Sequence, residues 1–288
     1  MKLKDKAVII TGASQGLGKE IAKFQIMEGA NVSICSRKKH DLENVSNEFK
    51  SIMNKEQKLF VYEADISKET DVSAFVDFSI KNLGKIDVLI NNAGIYGPKG
   101  NIDVVDINAW IQTININLLG TLLMCKKVIP EFKKNGKGKI INLSGGGATS
   151  PLPGLSAYAA TKAAVVRLTE TLSLEFKKNN IFINTVAPGA LNTRLLDEVI
   201  HEGKDKVPAE FYEKCLKQKE TGGTPLSMGA ELCVYLASDE SDGITGKLIS
   251  AVWDDWKNLH KHLKELDSDL YTLRRIIPED RGINLNLP

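Results

Sequence analysis

The stretch Ala7-Val8-Ile9-Ile10-Thr11-Gly12-Ala13-Ser14-Gln15-Gly16-Leu17-Gly18 decides how this chain folds. Four apolar residues in succession suit a strand covered on both faces. A helical pattern starts at Gly16, with Leu17, Ile21, Phe24 and Ile26 directed toward one core. A first strand that runs through a glycine-rich turn into a helix is where a doubly wound sheet seats a dinucleotide pyrophosphate. Gly12 permits the sharp turn. Gly16 and Gly18 carry no side chain that would hold a phosphate away from the helix N-terminus, whose N–H groups and dipole attract anions. Ser14 and Leu17 belong to the same candidate cradle.

Working outward, the alternation recurs. Short, mostly apolar runs at residues 32–36, 59–62, 86–91, 139–143, 182–186 and 247–251 are separated by longer helical stretches. Residues 157–178, for example, carry Ala164, Val165, Leu168, Leu172 and Phe176 at three- and four-residue steps. This predicts a parallel sheet with right-handed crossovers and helices on both faces. No linker, repeat or low-complexity tract interrupts it, so the 288 residues read as one α/β domain of about seven strands. Two segments stand outside the sheet. Residues 191–224 are charged and glycine-interrupted and read as a lid over a substrate. Residues 253–281, with Trp253, Trp256, Leu259, Leu263, Leu266 and Leu270, read as an amphipathic helix. The expected division is 1–251 for the sheet domain with its lid and 252–288 for a helical extension.

Composition narrows the function. Thirty-eight Lys and Arg against 36 Asp and Glu leave a net charge of +2, too balanced for a polyanion as the main partner. No apolar run approaches the roughly 18 residues that span a bilayer. The apolar stretch at 7–10 is too short for a signal peptide. Cys35, Cys125, Cys215 and Cys233 lack metal-ligand spacing and read as buried thiols in a reducing cytoplasm. Nucleic acid, membrane and metal are therefore not expected partners.

The kind of dinucleotide is decided at the end of the second strand. A carboxylate there would hold the ribose 2′-hydroxyl of NAD and repel the 2′-phosphate of NADP. The chain instead reads Ser36-Arg37-Lys38-Lys39. A hydroxyl followed by a guanidinium suits a phosphate, so NADP is the expected cofactor, with NAD as the alternative.

Tyr158 and Lys162 stand four apart, on one face of a helix. A phenol normally ionises near pH 10, and a neighbouring ammonium is expected to lower that value, fitting the tyrosine to exchange a proton with an alcohol oxygen. With Asp65 after the third strand, Asn91-Asn92-Ala93-Gly94 after the fourth, Asn117-Leu118-Leu119-Gly120, and Pro188-Gly189 with Thr193, the chain from about residue 4 to 248 resembles the single-domain short-chain dehydrogenases/reductases. The resemblance implies a Rossmann-type doubly wound parallel sheet and a secondary alcohol–ketone oxidoreductase. It implies that Asp65 and Ile66 hold the adenine, that Asn91, Ala93 and Gly94 line the cofactor cleft, and that Pro188, Gly189 and Thr193 lie against the nicotinamide. Lys162 would also bond the nicotinamide ribose, and Asn117 would hold a water in a proton relay. A homodimer or homotetramer is implied through residues 108–134 and 157–178.

The chain departs from that pattern twice. The family's serine lies thirteen residues before the tyrosine, where this chain has Gly145; Ser144 stands one earlier. Either the Gly145-Gly146-Gly147 loop shifts to bring Ser144 to the substrate, or Ser144 is structural and Tyr158 with a water polarises the carbonyl. The tail is the second departure. Trp253-Asp254-Asp255-Trp256 suggests a polar or sugar-like substrate, or else the anchor and start of the extra helix. Arg194, His201, Lys204, Lys206, Arg274 and Arg275 are candidates to meet an anionic substrate. Two rival functions stay open: a 3-oxoacyl-thioester reductase, and an NADP-binding sensor or scaffold with little catalysis.

Overall fold

The computed structural model describes residues 1–284. In chain order, β1 (Ala7–Thr11) leads into α1 (Gly16–Met27), β2 (Asn31–Ser36) into α2 (Lys39–Phe49), and β3 (Leu59–Glu63) into α3 (Glu69–Leu83). Then β4 (Val88–Asn91) precedes α4 (Ile107–Ile114), which passes through one π-helical turn (Asn115–Leu119) into α5 (Gly120–Asn135). The chain continues as β5 (Gly138–Leu143), α6 (Ser156–Phe176), β6 (Ile181–Ala187), α7 (Arg194–Glu202), α8 (Ala209–Thr221), α9 (Leu226–Ala237) and β7 (Leu248–Ser250).

All seven strands are parallel, in the order β3-β2-β1-β4-β5-β6-β7. The apolar runs are uninterrupted because both faces of the sheet are covered. In β1, Val8 and Ile10 enter the core under α1 and α9, while Ile9 enters the core under α3 and α5. β4 and β5 divide in the same way, Ile90 and Ile141 to one side and Leu89 and Ile140 to the other. This is the two-residue period of a strand, read on both faces at once. The direction of winding reverses between β1 and β4, so their carboxyl ends splay loops to opposite sides and open a crevice there.

Segment 191–224 forms α7 and α8, joined by a 3-10 turn at Lys204–Lys206, and packs Leu196, Val199, Val207 and Cys215 into a small third core with Leu155 and Tyr158. The expected helix over 253–281 does not form. A 3-10 stretch (Trp256–Lys261), one helical turn α10 (Leu263–Leu266) and a 3-10 turn at Pro278–Arg281 replace it. Its backbone is used elsewhere: Lys247 Nζ donates to the carbonyls of Ser268 (2.8 Å) and Leu270 (2.9 Å), and Leu248 N–H to that of Tyr271 (2.8 Å). Ser268 and Thr272 also bond local carbonyls through their hydroxyls, the competition that makes such residues poor in helix interiors. The tail is thus a strap along β7, the sheet's edge strand, and across α6. There Glu170 Oε1 accepts from Leu273 N–H at 2.6 Å, and Arg167 bonds the Leu273 carbonyl.

Candidate active site

The crevice at the carboxyl ends of the strands, roofed by α7 and α8, is a cleft of about 1130 Å³. Its first wall is the turn after β1. Gly12 has φ +66°, and a Cβ there would lie 2.7 Å from Ala93 Cα; a Cβ on Gly18 would lie 2.3 Å from Asn92 Nδ2. Asn92 is the clamp: its Nδ2 donates to the Thr11 carbonyl (3.1 Å) and the Gly12 carbonyl (2.9 Å), while Thr11 Oγ1 accepts from Asn92 and Ala93 N–H. Neighbouring strands β1 and β4 therefore lock the glycine turn, and α1 begins at the cleft with Ser14, Gly16, Leu17 and Gly18 lining it.

The far end of this wall is Ser36, Arg37, Lys38 and Asp41 after β2, with Asp65 and Ile66 after β3. Arg37 is exposed and has no hydrogen-bond or ion-pair partner among the described residues. Asp65 Oδ1 accepts from Ser67 N–H and hydroxyl, which fixes the turn. Pro188, Gly189 and Thr193 line the opposite wall, the Thr193 methyl 3.6 Å from where a Gly16 side chain would begin. A dinucleotide fits this arrangement. The cradle tolerates no Cβ at Gly12 or Gly18, the helix N-terminus faces the cleft, and a free guanidinium waits at its end.

Asn91 is not part of that wall. It is buried and donates through Nδ2 to Asn142 Oδ1 at 2.9 Å; Asn142 in turn donates to Thr169 Oγ1 at 2.8 Å. The residue therefore braces β4, β5 and α6, because the last strand residue points into the sheet while Asn92, one further, points into the turn. Asn117 also lies beneath the cleft rather than in its lining. From the π-helical turn, a feature often found at functional sites, its Oδ1 accepts from Ile95 N–H (2.9 Å), and its Nδ2 donates to the Ile95 carbonyl (2.9 Å) and Thr161 Oγ1 (3.1 Å). Gly94 runs between the two centres. A Cβ there would lie 3.3 Å from Asn117 Oδ1 and 3.4 Å from Lys162 Nζ.

Tyr158 and Lys162 share the inner face of α6. Lys162 Nζ donates to the Leu143 carbonyl at 2.7 Å and lies 5.7 Å from the centroid of the Tyr158 ring. The expected fall in the phenol's pKa is not what this geometry gives. Burial pushes Tyr158 up from its ordinary value, with the nearby Tyr96 adding to the rise. Burial also lowers Lys162, to about 8. Desolvation opposes charge on both groups and outweighs their mutual attraction. The Tyr158 hydroxyl has no hydrogen-bond partner among the described residues.

Gly145 explains where that hydroxyl sits: a Cβ on residue 145 would come within 2.3 Å of Tyr158 Oη. The phenol occupies the space a side chain would need. Ser144 is buried and its hydroxyl bonds the Lys162 carbonyl at 3.4 Å, bracing β5 against α6.

The tail's aromatic and acidic group is divided. Trp256 is buried against Tyr235 at 5.6 Å between ring centroids, and Asp255 bonds Asn258. Only Trp253, 86% exposed, and Asp254 reach the cleft, and Asp254 Oδ2 is already accepting from Ser250 N–H at 2.7 Å. Of the basic candidates, Arg194 lines the cleft, bound to Glu198 at 3.2 Å; His201, Lys204, Lys206, Arg274 and Arg275 do not line it. Sequence reasoning missed Tyr96, Leu152, Phe211 and Cys215, which line the cleft on the lid side. Phe211 and Cys215 are four apart on α8, a one-face spacing, but nothing local says what that face meets.

Residues 6–203 match the family described as short chain dehydrogenase. "Dehydrogenase/reductase SDR family member 4" of Caenorhabditis elegans is 34% identical over 252 residues, covering 86% of this chain and 94% of its own. 3beta-hydroxysteroid dehydrogenase 1 of Eggerthella lenta is also 34% identical, covering 85% and 91%. Among solved structures, the 3-ketoacyl-(acyl-carrier-protein) reductase of Brucella melitensis complexed with NADH superposes with a TM-score of 0.75 at 32% identity, covering 86% of this chain and 96% of that one. The glycine cradle, the Tyr158–Lys162 pair and this likeness over most of the chain carry one conclusion: it belongs to the short-chain dehydrogenase family, NAD(P)-dependent oxidoreductases acting on alcohol or carbonyl groups.

Proposed function

We propose that this chain is an NADP-preferring cytoplasmic enzyme that interconverts a secondary alcohol and a ketone. The observation that carries the cofactor half is Arg37, exposed at the cleft with no partner among the described residues, where a 2′-phosphate would lie. The dinucleotide, when bound, supplies or accepts the hydride; the rest falls to this chain.

Tyr158 gives a proton to the carbonyl oxygen, or takes one from the alcohol, through a hydroxyl that no group among the described residues engages. Lys162, anchored on the Leu143 carbonyl, supplies positive charge beneath the phenol. Asn117 fixes Ile95 and Thr161 on either side of that pair and so serves as a positioning residue. Ser144 braces the loop, and Gly145 leaves room for the phenol. A homo-oligomer is supported by exposed apolar side chains on α4, α5 and α6, among them Ile107, Ile111, Leu122 and Leu174. Four buried free cysteines suit a reducing compartment, and among the described residues no helix is long and apolar enough to cross a membrane.

A fluorescence titration of NADPH against NADH, on the natural chain and on Arg37→Ala, tests the reading. Losing a charge-assisted phosphate contact should cost about 1.5–3 kcal/mol for NADPH and little for NADH. Equal or tighter binding of NADH by the natural chain would refute the preference.

A further inference from the structure

Above Tyr158 the cleft is walled by side chains from four separate segments: Tyr96 on the loop after β4, Leu152 before α6, Leu196 on α7, and Phe211 and Cys215 on α8. They belong to one apolar cluster that includes Tyr158 itself. Tyr96 meets the Tyr158 ring edge-on, with centroids 4.7 Å apart. Two of the polar side chains at the lid end are already engaged. Gln218 Nε2 donates to Asn192 Oδ1 at 3.0 Å, and Arg194 is paired with Glu198 at 3.2 Å. A hydroxylated substrate body would lose its water against this largely apolar wall and gain few partners in return.

The wall has a fastener. Lys99, three residues beyond Tyr96, is buried although it is a lysine; its side chain is 2% exposed. Its Nζ reaches Glu202 Oε1 at 2.8 Å and Glu198 Oε2 at 3.7 Å, both on α7. One turn before Glu198 the same helix carries Arg194, and two residues further on Leu196 enters the wall. On the other side, Gly100 N–H donates to the Gly154 carbonyl at 2.9 Å, tying the loop to the segment that carries Leu152. A buried ammonium thus joins the Tyr96 loop to the lid.

We infer that the lid and the Tyr96 loop form an apolar chamber over Tyr158 that selects a bulky, hydroxyl-poor ketone, and that Lys99 holds the lid wall in register. This deepens the oxidoreductase reading and rests on it. Lys99 touches no reacting atom; it is a positioning residue for specificity.

The test uses the full chain with whichever of NADPH and NADH binds more tightly, and two probes, decalone and fructose. The chamber predicts a kcat/KM for decalone on the order of 100-fold above that for fructose. In Lys99→Met the KM for decalone should rise about tenfold, with kcat and the cofactor Kd held, because binding alone is disturbed. Lys99→Arg should recover most of the loss. Glu202→Gln, a gentler change at a half-exposed group, should shift KM in the same direction if the methionine variant fails to fold. Fructose turned over as well as decalone would overturn the chamber while leaving the oxidoreductase reading standing. A fall in kcat with KM unchanged in the Lys99 and Glu202 variants would overturn the positioning role. Cofactor binding with no turnover of any carbonyl would overturn the oxidoreductase reading, and the inference with it.

Discussion

The glycine-turn end of the cleft is made largely of backbone and glycine; the end above Tyr158 is made of side chains drawn from distant segments. At the first, residues 11–18 and 92–94 meet because β1 and β4 are hydrogen-bonded neighbours, and Asn92 locks the turn through carbonyls that any sequence would have. At the second, Tyr96, Leu152, Leu196 and Phe211 meet only because α7 and α8 pack against the start of α6, with the buried Lys99 paired to Glu202 on α7. The first plan is rigid and serves a ligand common to many enzymes. The second can be altered one side chain at a time, which is how a shared scaffold acquires a particular substrate.

Changes between the two ends should be the most damaging, and Tyr158→Phe the worst. It keeps the ring against Tyr96 but removes the proton, so kcat should fall by about 10²–10⁴ while cofactor affinity holds. Steady-state rates beside a cofactor titration check both halves; retained kcat would show that another group handles the proton. Gly145→Ala should follow. Its new methyl would stand 2.3 Å from Tyr158 Oη, and displacing the phenol by about an ångström costs on the order of 10²-fold. An unchanged rate would mean that the loop yields and the glycine is incidental.

The pH profile probes the same pair more gently. Burial holds Tyr158 protonated through neutral pH, so ketone reduction should be flat there. Lys162 gives up its proton near pH 8, so reduction should decline above that value as the charge beneath the phenol disappears. Alcohol oxidation, which needs a proton acceptor, should rise with pH. A reductive rate that climbs between pH 7 and about 9 would contradict these directions.

The smallest effect belongs to the strap, remote from both ends. Glu170→Ala strips the acceptor from Leu273 N–H and the partner from Arg167, and should cost about 1–2 kcal/mol in urea denaturation. Its kcat should hold. A large loss of activity would link the strap to the cleft and blur the contrast between a backbone-built cradle and a separately built side-chain wall.

The sheet, its strand positions and the glycine cradle were legible in the residues because each is local. A strand covered on both faces must be apolar throughout, and a turn without room for a Cβ must be glycine. Tyr158 and Lys162 were legible for the same reason, since helical spacing places them together. The strap was misread because its leucine spacing looks helical, whereas Lys247 and Leu248 claim its carbonyls from across the sheet edge. Asn91 was assigned to the cleft when the pleat turns it inward. The direction of the Tyr158 shift was decided by burial, a property of the folded whole that no spacing contains. By itself, then, the sequence determined the frame and the juxtaposition of Tyr158 and Lys162, through short-range sterics and period. Only the tertiary structure decided what surrounds that pair, which groups have lost their water, and which side chains of α7 and α8 line the cleft, because those depend on contacts between residues far apart in the chain.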